Sequence, residues 1–210
     1  MFLTYIIIGI TVLISFYAFK KPEVFSKLTM SPIRISRHGE YYRFVTSAFI
    51  HGDHMHLLVN MFSLYFFGPA VEVQLYHLFG ATGNLYFLAL YFIAIIVSDI
   101  PTFLKNKNNP GYSSLGASGA IAAVVFAFII FKPLQDLCIF VGICMPGFIL
   151  GTLYVVFSYL QGKKPHEKLK NINHDAHLYG ALFGLLFCIV IYPPSLPAFF
   201  DQIRNWEVLN

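Results

Sequence analysis

The sequence predicts an all-α membrane protein whose core is a bundle of six transmembrane helices. Of its 210 residues, 57% are hydrophobic and only 11% are charged, whereas a soluble domain carries about 25% charged residues. A chain of this size folded in water could not bury so much apolar surface. The net charge is +4, but the basic residues are scattered, so no nucleic-acid partner is expected. The expected solvent for most of the chain is the lipid bilayer.

Six apolar stretches have about the length that a helix needs to cross a bilayer, roughly 17–25 residues. Backbone groups in lipid have no water to bond, so each stretch is expected to be helical. In chain order the stretches are Leu3–Phe19, 54–73, 85–100, 115–131, 137–160 and 176–192.

The first, fifth and sixth stretches have features that bear on whether and where each forms a helix. The first stretch could be a signal peptide, but no Lys or Arg precedes it and no A-x-A cleavage site follows it, so a retained helix is expected. Pro146-Gly147 in the fifth stretch would make a helix pliable, which suits a lateral substrate gate, or would simply kink it. Pro193-Pro194 ends the last helix. We expect one membrane domain over residues 1–192 and a short C-terminal tail over 193–210.

The three cysteines, Cys138, Cys144 and Cys188, all lie in apolar runs. Their number is odd and their spacing matches no metal knuckle, so neither a disulfide framework nor a metal site is expected. We interpret them as small buried apolar residues.

Polar groups inside membrane helices are energetically costly, so each one is expected to have a structural or functional role. His56 and Asn60 are four residues apart, so they share one face of the second helix. Both offer side-chain N–H donors. A hydrogen bond between helices would also explain them.

Ser118 opens the fourth helix in the run Leu115-Gly116-Ala117-Ser118-Gly119-Ala120. A serine at a helix N-terminus lies beside unpaired backbone N–H groups, which suits a nucleophile whose product is an oxyanion. The alternative is a capping serine followed by small packing residues.

His177 begins the sixth helix and shares a face with Gly180 and Gly184. Gly180-x-x-x-Gly184 is typical of a close helix contact, so His177 is placed to meet a neighbouring helix. An interfacial histidine without chemistry is the alternative. Taken together, the three clusters supply a nucleophile, a general base and oxyanion donors, all at N-terminal ends of helices that run in one direction.

The sequence resembles the rhomboid intramembrane serine proteases. The resemblance covers nearly the whole chain and predicts a six-transmembrane-helix rhomboid-like bundle. The residues that carry it are Tyr42-Arg43-Phe-Val-Thr-Ser-Ala-Phe-Ile-His51, His56-x-x-x-Asn60, Gly116-Ala-Ser118-Gly119 and Ala176-His177-Leu-Tyr-Gly180-x-x-x-Gly184.

The resemblance implies that Ser118 is the nucleophile and His177 the general base of a dyad without a third acidic residue. His56, Asn60 and the backbone N–H of Ser118 would form the oxyanion hole. No cofactor and no metal is implied, and the substrates would be single-pass transmembrane proteins. The positions that match structural features of the family are Arg43, His51, Glu72, Gly116, Gly119, Gly180 and Gly184.

Two positions depart from the family pattern. The family has a Trp before the arginine, where this chain has Tyr42. The family often has an aromatic residue four positions after the serine, where it stacks on the histidine; here that position is Ala122. Tyr179 is a candidate substitute, but two positions from His177 on a helix it points elsewhere.

The distribution of basic residues and the family resemblance imply opposite membrane orientations. Twelve of the fourteen Lys and Arg residues fall in the first, third and fifth loops, which the positive-inside rule places in the cytoplasm. The resemblance instead implies an active site that opens to the extracytoplasmic side, at the same ends of the helices. We expect the orientation of the family, with part of the first loop folded into the protein.

Three rival interpretations remain open. A metal-handling membrane protein would use His51, His54 and His56 with Asp53, or His174 and His177 with Asp175, although the only His-Glu pair, His166-Glu167, is not followed by x-x-His. A non-catalytic relative would bind membrane proteins without cutting them. An aspartyl intramembrane protease would have to rely on Asp53 and Asp99.

Overall fold

The computed structural model describes residues 3–140, 142–163 and 172–206 and is mostly helical. The helices in these residues are α1 (Leu3–Phe19), α2 (Pro22–Leu28), α3 (Pro32–His38), α4 (Arg43–Thr46), α5 (His54–Phe79), α6 (Thr82–Asn106), α7 (Ser118–Phe131), α8 (Gly147–Gly162), α9 (His174–Ile191) and α10 (Ser195–Arg204). One 3-10 turn covers Ser47–Phe49, and the strands β1 (Asp136–Phe140) and β2 (Ile143–Pro146) form an antiparallel hairpin.

Every predicted apolar stretch contains a helix, but the six-helix span count is not confirmed. In the described ranges α5, α6 and α9 are long and apolar enough to cross a membrane, whereas α1, α7 and α8 are shorter apolar helices. Large apolar side chains on the outer faces of the helices are exposed, among them Leu13, Phe62, Leu186 and Val190. These faces suit lipid contact, and the chain has the composition and helices of an integral membrane protein.

The prediction of one helix over residues 137–160 was wrong. Residues before Pro146 pair as the β1–β2 hairpin, and α8 begins only at Gly147. A proline has no N–H and disfavours the helix interior, so Pro146 stands at the boundary as the residue that precedes α8. Pro146-Gly147 is therefore a helix start and not a kink.

The interpretation of all three cysteines as buried and free was also wrong. Cys138 and Cys144 lie opposite each other in the hairpin and form an exposed disulfide. Cys188, in contrast, is a free and buried cysteine.

The boundaries of several other helices differ from the predicted stretches. Helix α5 continues past residue 73 to Phe79. Helix α6 covers Thr82–Asn106 and so extends beyond the predicted 85–100 at both ends. Helix α7 begins at Ser118 and not at Leu115. Part of the expected fifth loop, including His166 and Glu167, lies outside the described residues. The tail after Pro194 contains α10, whose Gln202 amide donates to the carbonyl oxygen of Phe131 at the end of α7.

Helix α7 is the central element of the fold, because most of its side chains are buried and it packs on α5, α6 and α9. The α7–α9 contact depends on glycine. A methyl group added at Gly180 would overlap the carbonyl oxygen of Gly119, and one added at Gly184 would overlap that of Ala123. The two backbones therefore approach as closely as small-xxx-small contacts allow, which brings the first turns of α7 and α9 together.

Candidate active site

Ser118 is the first residue of α7, and the chain reaches it through a glycine turn. Gly116 has φ +107°, a conformation that residues with a Cβ rarely adopt. A methyl group there would also lie 2.8 Å from Cε1 of His56. Gly116 donates its N–H to the carbonyl oxygen of Ser47 at 2.9 Å. The turn thus leaves the first N–H groups of α7 without acceptors in their own helix.

His177 faces Ser118 from the first turn of α9. Its Nε2 lies 2.7 Å from the Ser118 Oγ, and the pair is partly buried. The described residues place no carboxylate within hydrogen-bond distance of the His177 ring. The structure therefore brings together the two residues predicted as nucleophile and base, as a pair without a third acidic member.

A polar network from α6 fixes the start of α9. The side-chain oxygen of Asn173 accepts from the backbone N–H of Ala176 at 3.1 Å and from Oγ1 of Thr102 at 2.8 Å. Its side-chain amide donates to Asp99 at 3.2 Å. Lys105 adds an ion pair with Asp175 at 2.7 Å. These contacts hold the turn that carries His177.

His56 and Asn60 lie on the first turns of α5, as the spacing predicts. The Asp53 carboxylate caps this helix by accepting from the backbone N–H of His56 at 2.7 Å. The Gly52 N–H donates to Nδ1 of His56 at 3.4 Å, which favours the tautomer with its proton on Nε2. Asn60 donates one amide N–H to the carbonyl oxygen of His56 at 2.8 Å and keeps a second N–H for another acceptor.

A cavity of about 390 Å³ lies between α5, α7, α8 and α9. Its wall is mostly apolar, with contributions from Ala122, Phe126 and Leu150. The side chains with hydrogen-bonding groups that line it include His56, Asn60, Ser63, Ser118, Asn173 and His177. All four side chains predicted to act in catalysis therefore open into one chamber.

His51 and Glu72 are buried and connect α1 to other elements of the fold. His51 is fully buried, with its Nδ1 3.0 Å from the Ser15 Oγ of α1 and its Nε2 3.5 Å from the backbone N of Ala117. Glu72 on α5 accepts from the backbone N–H groups of Leu3 and Thr4 at 2.8 and 2.6 Å. The Glu72 carboxylate thus satisfies orphan donors at the start of α1 and stabilises the positive end of its dipole.

Arg43 is almost fully buried in the first loop and does not reach the cavity. It donates to the carbonyl oxygens of Ser26 and Thr29 at 2.9 and 2.6 Å and pairs with Glu40 at 2.5 Å. The hydrogen bond from Arg43 lowers the pKa of the Glu40 carboxyl below its ordinary value. Tyr42, the departure at the preceding position, is exposed and lies under the Arg43 guanidinium at 5.4 Å.

The sequence did not indicate Tyr154 on α8, which lines the chamber beside His177. Its ring stacks on the His177 imidazole, with centroids 6.1 Å apart and an interplanar angle of 22°. Tyr179 is partly exposed on the outer side of α9. No signal in the sequence marks Tyr154, because the orientation of α8 depends on the hairpin that precedes it.

The residues of the metal-handling alternative do not assemble. Among the residues that the structure describes, no group of three or more His, Cys, Asp or Glu side chains is arranged to hold a metal ion. Asp53 serves as the cap of α5, and the His54 ring packs on Phe19 with centroids 4.6 Å apart.

Comparisons with known proteins identify the family of this chain. A family model, the rhomboid domain, matches residues 38–194. RHOMBOID-like protein 12, mitochondrial, of Arabidopsis thaliana is 32% identical over 155 residues, which cover 68% of this chain and 44% of that protein. Rhomboid-like protease 5 of Toxoplasma gondii is 28% identical over 168 residues, or 79% of this chain and 18% of that protein.

Presenilin-associated rhomboid-like protein, mitochondrial, of Homo sapiens is 30% identical over 142 residues, or 67% of this chain and 35% of that protein. The chain therefore spans less than half the length of each of these three relatives. Because the family model covers most of the chain, including Ser118 and His177, this protein belongs to the rhomboid family.

Proposed function

We propose that this chain is an intramembrane serine endopeptidase that hydrolyses peptide bonds in or near the transmembrane segments of other membrane proteins. The observation that carries the proposal is the 2.7 Å contact between the Ser118 Oγ and the His177 Nε2 at the wall of the cavity. A hydroxyl at this distance from a neutral imidazole can transfer its proton as it attacks a carbonyl carbon.

The dyad acts twice in each cycle. The Ser118 Oγ forms a bond to the carbonyl carbon of the substrate while His177 takes the hydroxyl proton. The C–N bond then breaks, and His177 returns the proton to the leaving amine. A water molecule, deprotonated by the same imidazole, hydrolyses the acyl-enzyme and restores the Ser118 hydroxyl. The net reaction consumes one water for each peptide bond.

In the proposed mechanism the oxyanion hole has three donors. They are the backbone N–H of Ser118, the His56 Nε2–H and the second amide N–H of Asn60. The tautomer favoured by the Gly52 contact makes His56 Nε2 a donor. Fixed donors in a water-poor chamber stabilise a developing negative charge more than the same donors in water.

The shape of the chamber supports the proposed substrate class. A continuous helix hides its carbonyl groups in its own hydrogen bonds, so a transmembrane substrate must unwind before a carbonyl reaches Ser118. An apolar chamber of about 390 Å³ suits side chains of an unwound segment from a single-pass membrane protein. Small or helix-breaking residues at the cut site would lower the cost of unwinding.

The test is labelling of the purified, detergent-solubilised protein by a fluorophosphonate probe, alongside cleavage of a transmembrane substrate in liposomes. Ser118→Ala should abolish both signals, and His177→Ala should abolish cleavage and labelling because the hydroxyl then lacks its base. Ser63→Ala is the matched control, since Ser63 lines the same cavity but contacts neither dyad residue. Full cleavage by folded Ser118→Ala protein would refute the proposal. A folded wild type that neither labels nor cleaves would point to a non-catalytic membrane-protein binder.

A further inference from the structure

A histidine that serves as a general base needs its ring held in one orientation, since the proton moves only along an aligned hydrogen bond. In a triad a carboxylate supplies that restraint. Here the described residues offer the His177 imidazole only one hydrogen-bond partner, the Ser118 hydroxyl. Ala122, one turn after Ser118, presents a methyl group to the cavity and nothing that can restrain a ring. The restraint must come from elsewhere.

The ring of Tyr154 lies nearly parallel to the His177 imidazole, with centroids 6.1 Å apart and planes inclined by 22°. This is within the range of offset stacked pairs. The His174 ring lies nearly perpendicular to the same imidazole, with centroids 6.1 Å apart and an interplanar angle of 78°. Two aromatic rings thus neighbour the His177 ring.

Tyr154 is itself fixed by α7. Its ring packs on Phe126, with centroids 5.7 Å apart. One turn earlier on α8, Gly151 allows a close approach, because a methyl group there would lie 3.1 Å from Ile129 Cδ1 and 3.4 Å from Phe126 Cε1. The close contact at Gly151 brings α8 against α7 and directs Tyr154 into the space beside Ala122.

We propose that Tyr154 is the positioning residue of the dyad: its ring, supplied by α8, holds the His177 imidazole with Nε2 toward Ser118. The inference rests on the proposed function. It assigns to α8 a task that the Ala122 side chain of α7 cannot perform. The phenolic oxygen of Tyr154 has no hydrogen-bond partner among the described residues. The aromatic ring of Tyr154, and not its hydroxyl, therefore restrains the His177 ring.

Three variants and a control separate this role from simple packing. Tyr154→Leu should lower kcat about tenfold, which is the effect expected from the loss of about one aromatic contact. KM should change little. Tyr154→Phe should keep wild-type kcat. In the Tyr154→Leu background, Ala122→Phe should restore kcat by supplying a ring from α7. Tyr159→Leu is the control, because Tyr159 lies on the same helix, is half exposed and faces away from the cavity.

Two results would overturn the proposal. One is a Tyr154→Leu protein with unchanged kcat. The other is a rise in KM alone, which would make Tyr154 a substrate contact. Melting temperatures of the variants would identify any general loss of folding.

A readout that needs no turnover separates this inference from the protease assignment. The ring protons of His177, identified by their loss in His177→Gln, should show an upfield ring-current shift in NMR spectra. That shift should persist in Tyr154→Phe and disappear in Tyr154→Leu. A shift that survives Tyr154→Leu would refute the stacking role. A wild type with the shift but without probe labelling would retain the stacking role and refute the protease proposal.

Discussion

The Asn60 side chain is hydrogen-bonded within its own helix and also lines the chamber. One amide N–H is bound to the carbonyl oxygen of His56, which fixes the side chain and directs the other N–H. The first interaction is redundant for folding, because the helix bonds the same carbonyl through its backbone. Asn60 lines the same chamber as Ser118 and His56, so its second N–H is the donor available to a bound substrate.

We therefore expect Asn60→Ala to lower kcat on the order of 10²–10³-fold, as loss of one oxyanion donor does. KM should change little, because the donor acts on charge that develops after binding. Steady-state cleavage in liposomes measures both constants. Ser63→Ala, one turn further along α5 and lining the same cavity, should keep wild-type values. Equal kcat in Asn60→Ala and wild type would remove Asn60 from the oxyanion hole.

At the scale of elements, the contact between α7 and α9 sets the distance between the dyad residues. Ser118 and His177 stand on first turns, and the glycine contacts beyond them determine how closely the two axes approach. Adding a methyl group at Gly184 would overlap the carbonyl oxygen of Ala123 and come within 2.7 Å of its Cα. Neither backbone atom can move without shifting its helix.

Gly184→Ala should therefore destabilise the protein by about 1–3 kcal/mol, the usual cost of overpacking. It should also slow fluorophosphonate labelling, although Gly184 lies two turns from His177. Gly9→Ala is the control, since a methyl group there meets nothing within 4 Å. Thermal denaturation in detergent and labelling rates test both variants. Unchanged stability and labelling in Gly184→Ala would show that the helices can separate without affecting the dyad.

The sequence predicted where helices lie better than how they meet. Apolar length alone located α1, α5, α6, α7 and α9, because lipid leaves the backbone little choice. The same criterion misread β1 and β2, since a short apolar run fits a strand or a helix equally well. Motif order and the resemblance identified Ser118 and His177. Tyr154 could not be predicted, because its contact with His177 depends on the rotation of α8 about its own axis. No local sequence pattern determines that rotation.

At the scale of the whole molecule, the hairpin and the dyad lie at opposite ends of α7. Ser118 begins this helix, and the hairpin follows its C-terminal end, about 20 Å further along at 1.5 Å per residue. The Cys138–Cys144 disulfide is exposed on that hairpin, and disulfides persist in oxidising compartments.

Two independent observations then agree on orientation. The disulfide favours a hairpin in the oxidising compartment, and the positive-inside rule places the basic loops at the other end, beside Ser118. Both oppose the orientation that the resemblance implies. The counted charges are not all free, because Arg43 is buried and Lys105 is paired with Asp175, and Lys164, Lys168 and Lys170 lie outside the described residues. The disulfide does not depend on that count, so we expect the Ser118 end to face the cytoplasm.

Impermeant maleimide labelling of intact bacterial cells tests this orientation with two single-cysteine proteins. The first retains only Cys144 (Cys138→Ser, Cys188→Ser), and the second carries Asn108→Cys with all three native cysteines replaced by serine. Asn108 is exposed in the loop after α6, at the same end as Ser118. Cys144 should label in intact cells, whereas the cysteine at position 108 should label only after permeabilisation. The reverse pattern would contradict this expectation and would support the orientation that the resemblance implies.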